Sequence, residues 1–185
     1  MVRITADFQQ ERVLHPAAMA LLNQFFSKGW ADPNKLNHNS RQTAILLQQV
    51  REKFAEELKV RPDELEFLGE SDLGFQLGIS GLLKPDSKLL YSSIDRQRVF
   101  AVAASEENKG RQVTCLPVDN NGQIGKFLAT ANDVLVWQVA NGESGNLQAN
   151  PVTQAAIFAD CTASGIDYLP TFDYQTALFD SASWQ

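Results

Sequence analysis

From residue 61 onward, short apolar runs alternate with helix-length segments. That rhythm constrains the fold more than any other feature of the chain. Residues 65–68, 88–92, 113–117, 134–139, 155–159 and 177–179 read as strands, and 134–139 is the strongest of them. Residues 73–83 form an apolar helical stretch ended by Lys84-Pro85-Asp86, and 99–107 is also helical. Strands separated this way need crossover connections, which predict an α/β fold: three layers, α-β-α, around a mostly parallel sheet. Ligands of such sheets bind at the carboxyl ends of the strands. That rule singles out residues 69–72, 93–96, 140–145, Asp160 and the residues after Phe179.

The first fourteen residues read as an extended arm. His15-Pro16 opens a helix whose apolar face is Ala18, Leu21, Leu22, Phe25 and Phe26, with Gly29 as its stop. Asp32-Pro33-Asn34 is a turn. Ser40 is the expected cap of a second helix over 41–59, striped by Ile45, Leu46, Val50, Phe54 and Leu58 and broken by Arg61-Pro62-Asp63. With no linker or repeat in view, residues 1–185 are expected to form a single domain: an arm (1–14), two leading helices (15–60) and a sheet core (61–185).

A chain of 185 residues with 44% hydrophobic and 21% charged residues can bury a real core. A formal charge of −6 gives no attraction to phosphate backbones, so no nucleic-acid partner is expected. No apolar run reaches membrane-spanning length, and MVRITADFQQ lacks the apolar core of a signal peptide, so the expected location is the cytoplasm, with no membrane partner. Cys115 and Cys161 stand far apart with no CxxC, which argues against a disulfide framework or a zinc cluster. Cys115, mid-strand, reads as a buried core residue, as does Trp137. Cys161 sits at a strand end, but no histidine is placed to activate it. Nothing pairs His15 or His38 with further ligands, so no metal site is expected.

Five segments, in order, carry a resemblance. DFQQERVLHP (7–16) resembles an N-terminal segment in which an aspartate precedes His-Pro or Asp-Pro. Asp32-Pro33-Asn34-Lys35-Leu36, with Arg41 after it, resembles an Asn-Pro-Ser-Ser-Leu segment. VTCLPVDNNG (113–122) is similar to a V-T-x-L-P-V-D-x-x-G stretch. Ala140-Asn141-Gly142-Glu143-Ser144-Gly145 resembles Ala-Asn-Asn-Glu-x-Gly. Phe158-Ala159-Asp160 resembles a strand that ends in an aspartate. Together these resemble the cofactor-binding domain of the cysteine desulfurases and class V aminotransferases, which are fold-type I enzymes that use pyridoxal phosphate. The resemblance spans essentially the whole chain and corresponds to the front half of such an enzyme, with the C-terminal domain absent.

What the resemblance implies is a degenerate site. Pyridoxal phosphate chemistry needs a Schiff-base lysine, a carboxylate for the pyridine nitrogen, donors for the phosphate and a stacking ring. The matching lysine place holds Gln185, with Trp184 at the preceding histidine place, and the last lysine in the chain is Lys126. A carboxamide has no amine to offer, so no catalytic residue is assigned. Asp160 keeps the pyridine-partner place. Asn141 remains of an Asn-Asn pair, while Gly142 replaces its second member. Arg96 stands where a stacking histidine is expected, and Ala163 where a glutamine is. Ser71 and Asp72 occupy the phosphate segment, where either could instead cap the next helix. The remnant cleft is therefore Asp160, Asn141, Arg96, Ser71 and Asp72, with no metal and no retained cofactor expected.

The reading is a catalytically degenerate, desulfurase-like binding or scaffold protein. The alternative is a fragment of an active transferase or desulfurase whose other half is missing. In the family, an antiparallel strand fills the sheet after the lysine, and the enzymes are homodimers. A homodimer is therefore expected here, with a small anion or a protein as a further partner.

Overall fold

The computed structural model describes residues 15–29, 31–165 and 168–180. The arm over 1–14 and the segment 181–185, which includes Trp184 and Gln185, lie outside the described residues. The described chain divides into two compact units that meet in sequence between Leu65 and Glu66.

The first unit is helical. Helix α1 spans Pro16–Lys28, with proline at its first turn and His15 Nδ1 accepting from the Ala17 amide at 3.2 Å. Gly29, at φ 76°, follows it. Helix α2 spans His38–Leu58. Its cap is Asn37, whose Oδ1 accepts from the Ser40 amide at 2.9 Å. Ser40, expected as the cap, is instead fully buried inside the first turn. The helix starts earlier because Asn37, in extended conformation, reaches three residues forward. A single 3-10 turn over Pro62–Glu64 follows.

The second unit holds the sheet. Residues 65–68, expected as a strand, are irregular: they form no strand of the sheet, and Phe67 and Leu68 stay exposed. An apolar run makes a strand only where a ladder receives its backbone. Helix α3 (Ser71–Leu82) leads to β1 (Leu89–Ser92), α4 (Gln97–Asn108), β2 (Val113–Leu116), β3 (Val134–Gln138), β4 (Ala156–Asp160) and β5 (Thr176–Leu178). The strand order is β2-β1-β3-β4-β5, and every pairing is parallel. The chain leaves β1 toward one edge and returns to β3 on β1's other side. The sheet therefore reverses direction between β1 and β3, the kind of point where open α/β sheets leave a crevice.

One face of the sheet packs under both helices. Phe75 and Ile79 of α3 and Val99, Val102 and Ala103 of α4 meet Leu89, Val134, Val136 and Phe158. The other face, built on Leu90, Leu116, Leu135, Trp137, Ala155 and Ile157, is covered within this unit by loop residues Ile124, Phe127, Ala129, Phe172 and Tyr174. The connections 117–133 and 139–155 carry Pro117, Gly122, Gly125, Gly142, Gly145 and Pro151 and no helical periodicity, so they cross the sheet as loops. Cys115, expected in the core, is exposed: β2 is an edge strand, and Thr114 and Cys115 stand outside both apolar layers. Among the described residues no helix is long and apolar enough to cross a membrane.

A buried carboxylate clamps the end of the helical layer opposite the crevice. Glu106, 3% exposed, accepts from Lys109 Nζ at 2.8 Å, Arg111 Nε at 3.0 Å and Ser80 Oγ at 3.1 Å. Arg111 Nη1 also donates to the carbonyls of Lys84 (2.6 Å) and Ser87 (3.0 Å). Burial alone would raise the Glu106 pKa, but these donors hold it below the usual range. Glu106→Ala strips the partner from a half-buried Arg111 and is expected to destabilise the fold by about 3 kcal/mol, read by urea denaturation. A change below about 1 kcal/mol would show that the clamp is incidental.

Candidate functional site

The carboxyl ends of β1, β3 and β4 bring together residues from three sequence segments. Asp95 and Arg96 follow β1, Gln138 ends β3 with Asn141 and Gly142 just beyond, and Asp160 ends β4 with Thr162 and Ala163 after it. The N-termini of both helices lie at this same end, tied by an ion pair between Asp72 in the first turn of α3 and Arg98 in the first turn of α4.

Asp160 is the centre of the cluster. It is 1% exposed, and its Oδ1 accepts from the Thr162 amide at 2.9 Å and Thr162 Oγ1 at 2.6 Å. Its Oδ2 is buried without a hydrogen bond and faces Arg96 Nε at 3.4 Å, a charge contact outside hydrogen-bonding geometry. Burial pushes the carboxyl above its ordinary pKa, while the Thr162 hydrogen bonds and the Arg96 charge pull the other way.

Arg96 crosses from the end of β1 toward the loops after β3 and β4. A Cβ built on Gly142 would lie 3.3 Å from Arg96 Nη2 and 3.4 Å from the Ala163 Cβ. A side chain at 142 would therefore crowd the guanidinium and shift it by a few tenths of an ångström. The Nε end of the side chain is buried, yet the side chain as a whole is 37% exposed, so its outer end carries the exposure.

Asn141, expected to face a ligand, shapes its own loop. Its Nδ2 donates to Gln138 Oε1 and to the Ile94 carbonyl, each at 3.0 Å. Its Oδ1 accepts from the amides of Glu143 (3.0 Å) and Ser144 (2.8 Å) and from Ser144 Oγ (3.0 Å). This is an Asx turn that holds residues 141–145 beneath the crevice. The 119–123 turn packs against the same loop. Asn146 Nδ2 donates to the Asn121 carbonyl at 2.7 Å, and Gln148 Nε2 donates to the Gly122 carbonyl. The two sequence motifs at 113–122 and 140–145 thus meet in space.

Ser71 and Asp72 open α3. The cap is Glu70, whose side chain makes no cap hydrogen bond, and neither Ser71 nor Asp72 caps the helix. The Asp72 carboxylate is engaged by Arg98. Sequence reasoning gave no role to Gln138 or Thr162, and it took in Asp95 only as part of the segment 93–96. Asp95 is 7% exposed; its Oδ2 accepts from the Ser92 amide at 2.6 Å, and its Oδ1 is buried without a partner. Burial, with the nearby Asp160 charge, pushes its pKa to about 7. Its signal in the sequence was its place directly after a strand. Cys161 is buried, and its thiol is pushed up to about 12, chiefly by burial, so it offers no thiolate at neutral pH.

The lysines of this unit lie at the other end of the sheet. Lys84 and Lys88 precede β1, Lys109 leads into β2, and Lys126 shares a groove with Lys88. The crevice therefore holds a buried carboxylate oxygen that has no hydrogen bond and is faced by Arg96, of the kind a protonated ring nitrogen would meet. Among the unit's described residues it holds no ammonium group.

No family model matches the chain. It is 22% identical over 151 residues to a cysteine desulfurase IscS of Dictyoglomus turgidum, covering 77% of this chain and 38% of that protein. It is 27% identical over 113 residues to a NifS/IcsS protein homolog of Lactobacillus delbrueckii subsp. bulgaricus, covering 59% of this chain and 29% of the relative. Among solved structures, a NIFS-like protein superposes with a TM-score of 0.81 at 18% identity over 95% of this chain and 54% of its own. SspA in complex with cysteine superposes with a TM-score of 0.73 at 21% identity over 85% and 50%. The fold is thus that of the large domain of pyridoxal-phosphate-dependent transferases. In sequence the chain is similar to cysteine desulfurases, and it spans about half the length, or less, of the proteins it matches.

Proposed function

We propose that this chain is a catalytically degenerate relative of the cysteine desulfurases: a single transferase-like domain that acts as a binding or scaffold protein in the cytoplasm, as a homodimer. The observation that supports it most directly is the absence of an ammonium group from the described crevice, where covalent attachment of pyridoxal phosphate requires one. Gln185 at the family's lysine place points the same way. Asp160 keeps the character of a ring-nitrogen partner, since its Oδ2 is buried and lacks a donor. Arg96 nevertheless competes for that oxygen, and Asp72 puts a carboxylate where a phosphate would sit. These residues do not fit a covalently held cofactor.

Titrating the purified chain with pyridoxal phosphate and then dialysing it is expected to leave no aldimine absorption band and no retained cofactor. An aldimine band would overturn this reading. The second reading is a fragment of an active enzyme, favoured by the coverage of only 38% and 54% of the relatives. It predicts that antibodies against this chain detect a native polypeptide about twice its mass.

A further inference from the structure

The geometry points to a receptor for a small-molecule carboxylate at the crevice, formed by the outer fork of Arg96 over Gly142 and Ala163. This deepens the proposed function, on which it rests, by naming the class of ligand. Four observations carry it. The inner edge of the guanidinium faces a buried counter-ion: Nε lies 3.4 Å from Asp160 Oδ2, and Asp160 is itself held by two bonds from Thr162. The outer edge is unused, since neither Nη forms a hydrogen bond among the described residues, and the side chain is 37% exposed. Nη2 lies close over residue 142, where a Cβ would crowd it at 3.3 Å. Finally, Arg96 is the N-cap of α4, a twelve-residue helix whose first turn has no side-chain cap and no acidic residue.

An arginine whose Nε faces a buried carboxylate presents two parallel N–H donors at its outer end, the geometry that matches a carboxylate in bidentate fashion. The helix N-terminus adds favourable potential for an anion. Asp72 is paired with Arg98, and Asp160 is the counter-ion at the inner edge of the guanidinium, so the outer edge is the part of Arg96 left to a ligand. The arginine lies where the loops after β1, β3 and β4 converge, beside the point at which the strand order reverses.

The test is a titration of the full chain with succinate, followed by the backbone amides of Gly142 and Ala163 and the Arg96 Nε–H in 1H-15N spectra. Saturable shifts confined to these groups are expected. Arg96→Lys keeps the charge but removes the fork, and should weaken binding about tenfold while the thermal midpoint moves little. Gly142→Ala crowds Nη2 and should weaken binding without touching the charge. Equal affinity in wild type and Arg96→Lys, or no saturable response, would overturn the assignment. So would inorganic phosphate binding that is indifferent to both substitutions, because that would locate the anion on the helix end alone. The pyridoxal phosphate titration reads separately: an aldimine band there sinks the degenerate-scaffold reading, whereas loss of the Arg96 dependence sinks only the carboxylate receptor.

Discussion

Phe158→Ala is expected to cost about 3–5 kcal/mol, close to the whole stability of many domains of this size. Phe158 is fully buried in the centre of β4. Its ring meets Phe75 of α3 at a centroid distance of 5.8 Å and joins the layer of Ile79, Leu89, Val99, Val134 and Val136. Removing it opens a cavity between helix and sheet that side chains on a parallel ladder cannot close without breaking register. Gly78 belongs to the same contact, because a Cβ there would run into the Phe158 ring. Gly78→Ala should therefore destabilise the wild type yet cost much less in the Phe158→Ala background. Urea denaturation of the four proteins in that cycle reads the coupling directly. Additive losses would mean that α3 does not seat on β4 through this pair.

The second large effect is a pH dependence set by Asp95. Its folded pKa of about 7 lies above the ordinary aspartate value of 3.8, because burial and the neighbouring Asp160 charge oppose ionisation. The folded state therefore holds a proton that the unfolded chain has lost. Stability from this group is fully present below about pH 4, falls as the pH rises toward 7 and levels off above it. Asp160, also raised, adds a change of the same sign, and Arg96 is the cation that limits it. The total drop is a few kcal/mol. Asp95→Asn keeps an acceptor for the Ser92 amide and removes the buried charge. It should flatten the profile and stabilise the protein at pH 8, with little change at pH 5. Chemical denaturation at those two values decides the matter. A variant that is less stable at pH 8 would show that the Asp95 charge is needed where it stands.

Much of the fold was legible beforehand, for a reason visible in particular residues. β3, Val134–Gln138, is buried at every position because it lies mid-sheet between two apolar layers, so it reads as an unbroken apolar run. The helix at Ser71–Leu82 announced itself by apolar density and a proline-bearing stop. The failures came where an element depends on a neighbour. Residues 65–68 are as apolar as a short strand but lie outside the described five-stranded sheet. Cys115 lies in a real strand, yet an edge strand, and no local pattern distinguishes an edge from a centre.

The site divides along the same line. Asp160, Asn141 and Arg96 could be named from their places just past strands, and the rule that parallel sheets gather ligands at those ends did bring them to one crevice. What each does there was a matter of tertiary structure. Asn141 spends its amide on its own loop, Asp72 on Arg98, and Arg96 on the oxygen of Asp160 that is left without a hydrogen bond. Periodicity and turn chemistry are local, so the sequence by itself determined most of the elements, their order and the parallel sheet. Partnership between side chains far apart in the chain exists only once the sheet has set three strand ends side by side. The fold alone therefore decided that Arg96 stands across Asp160 with Gly142 making room for it.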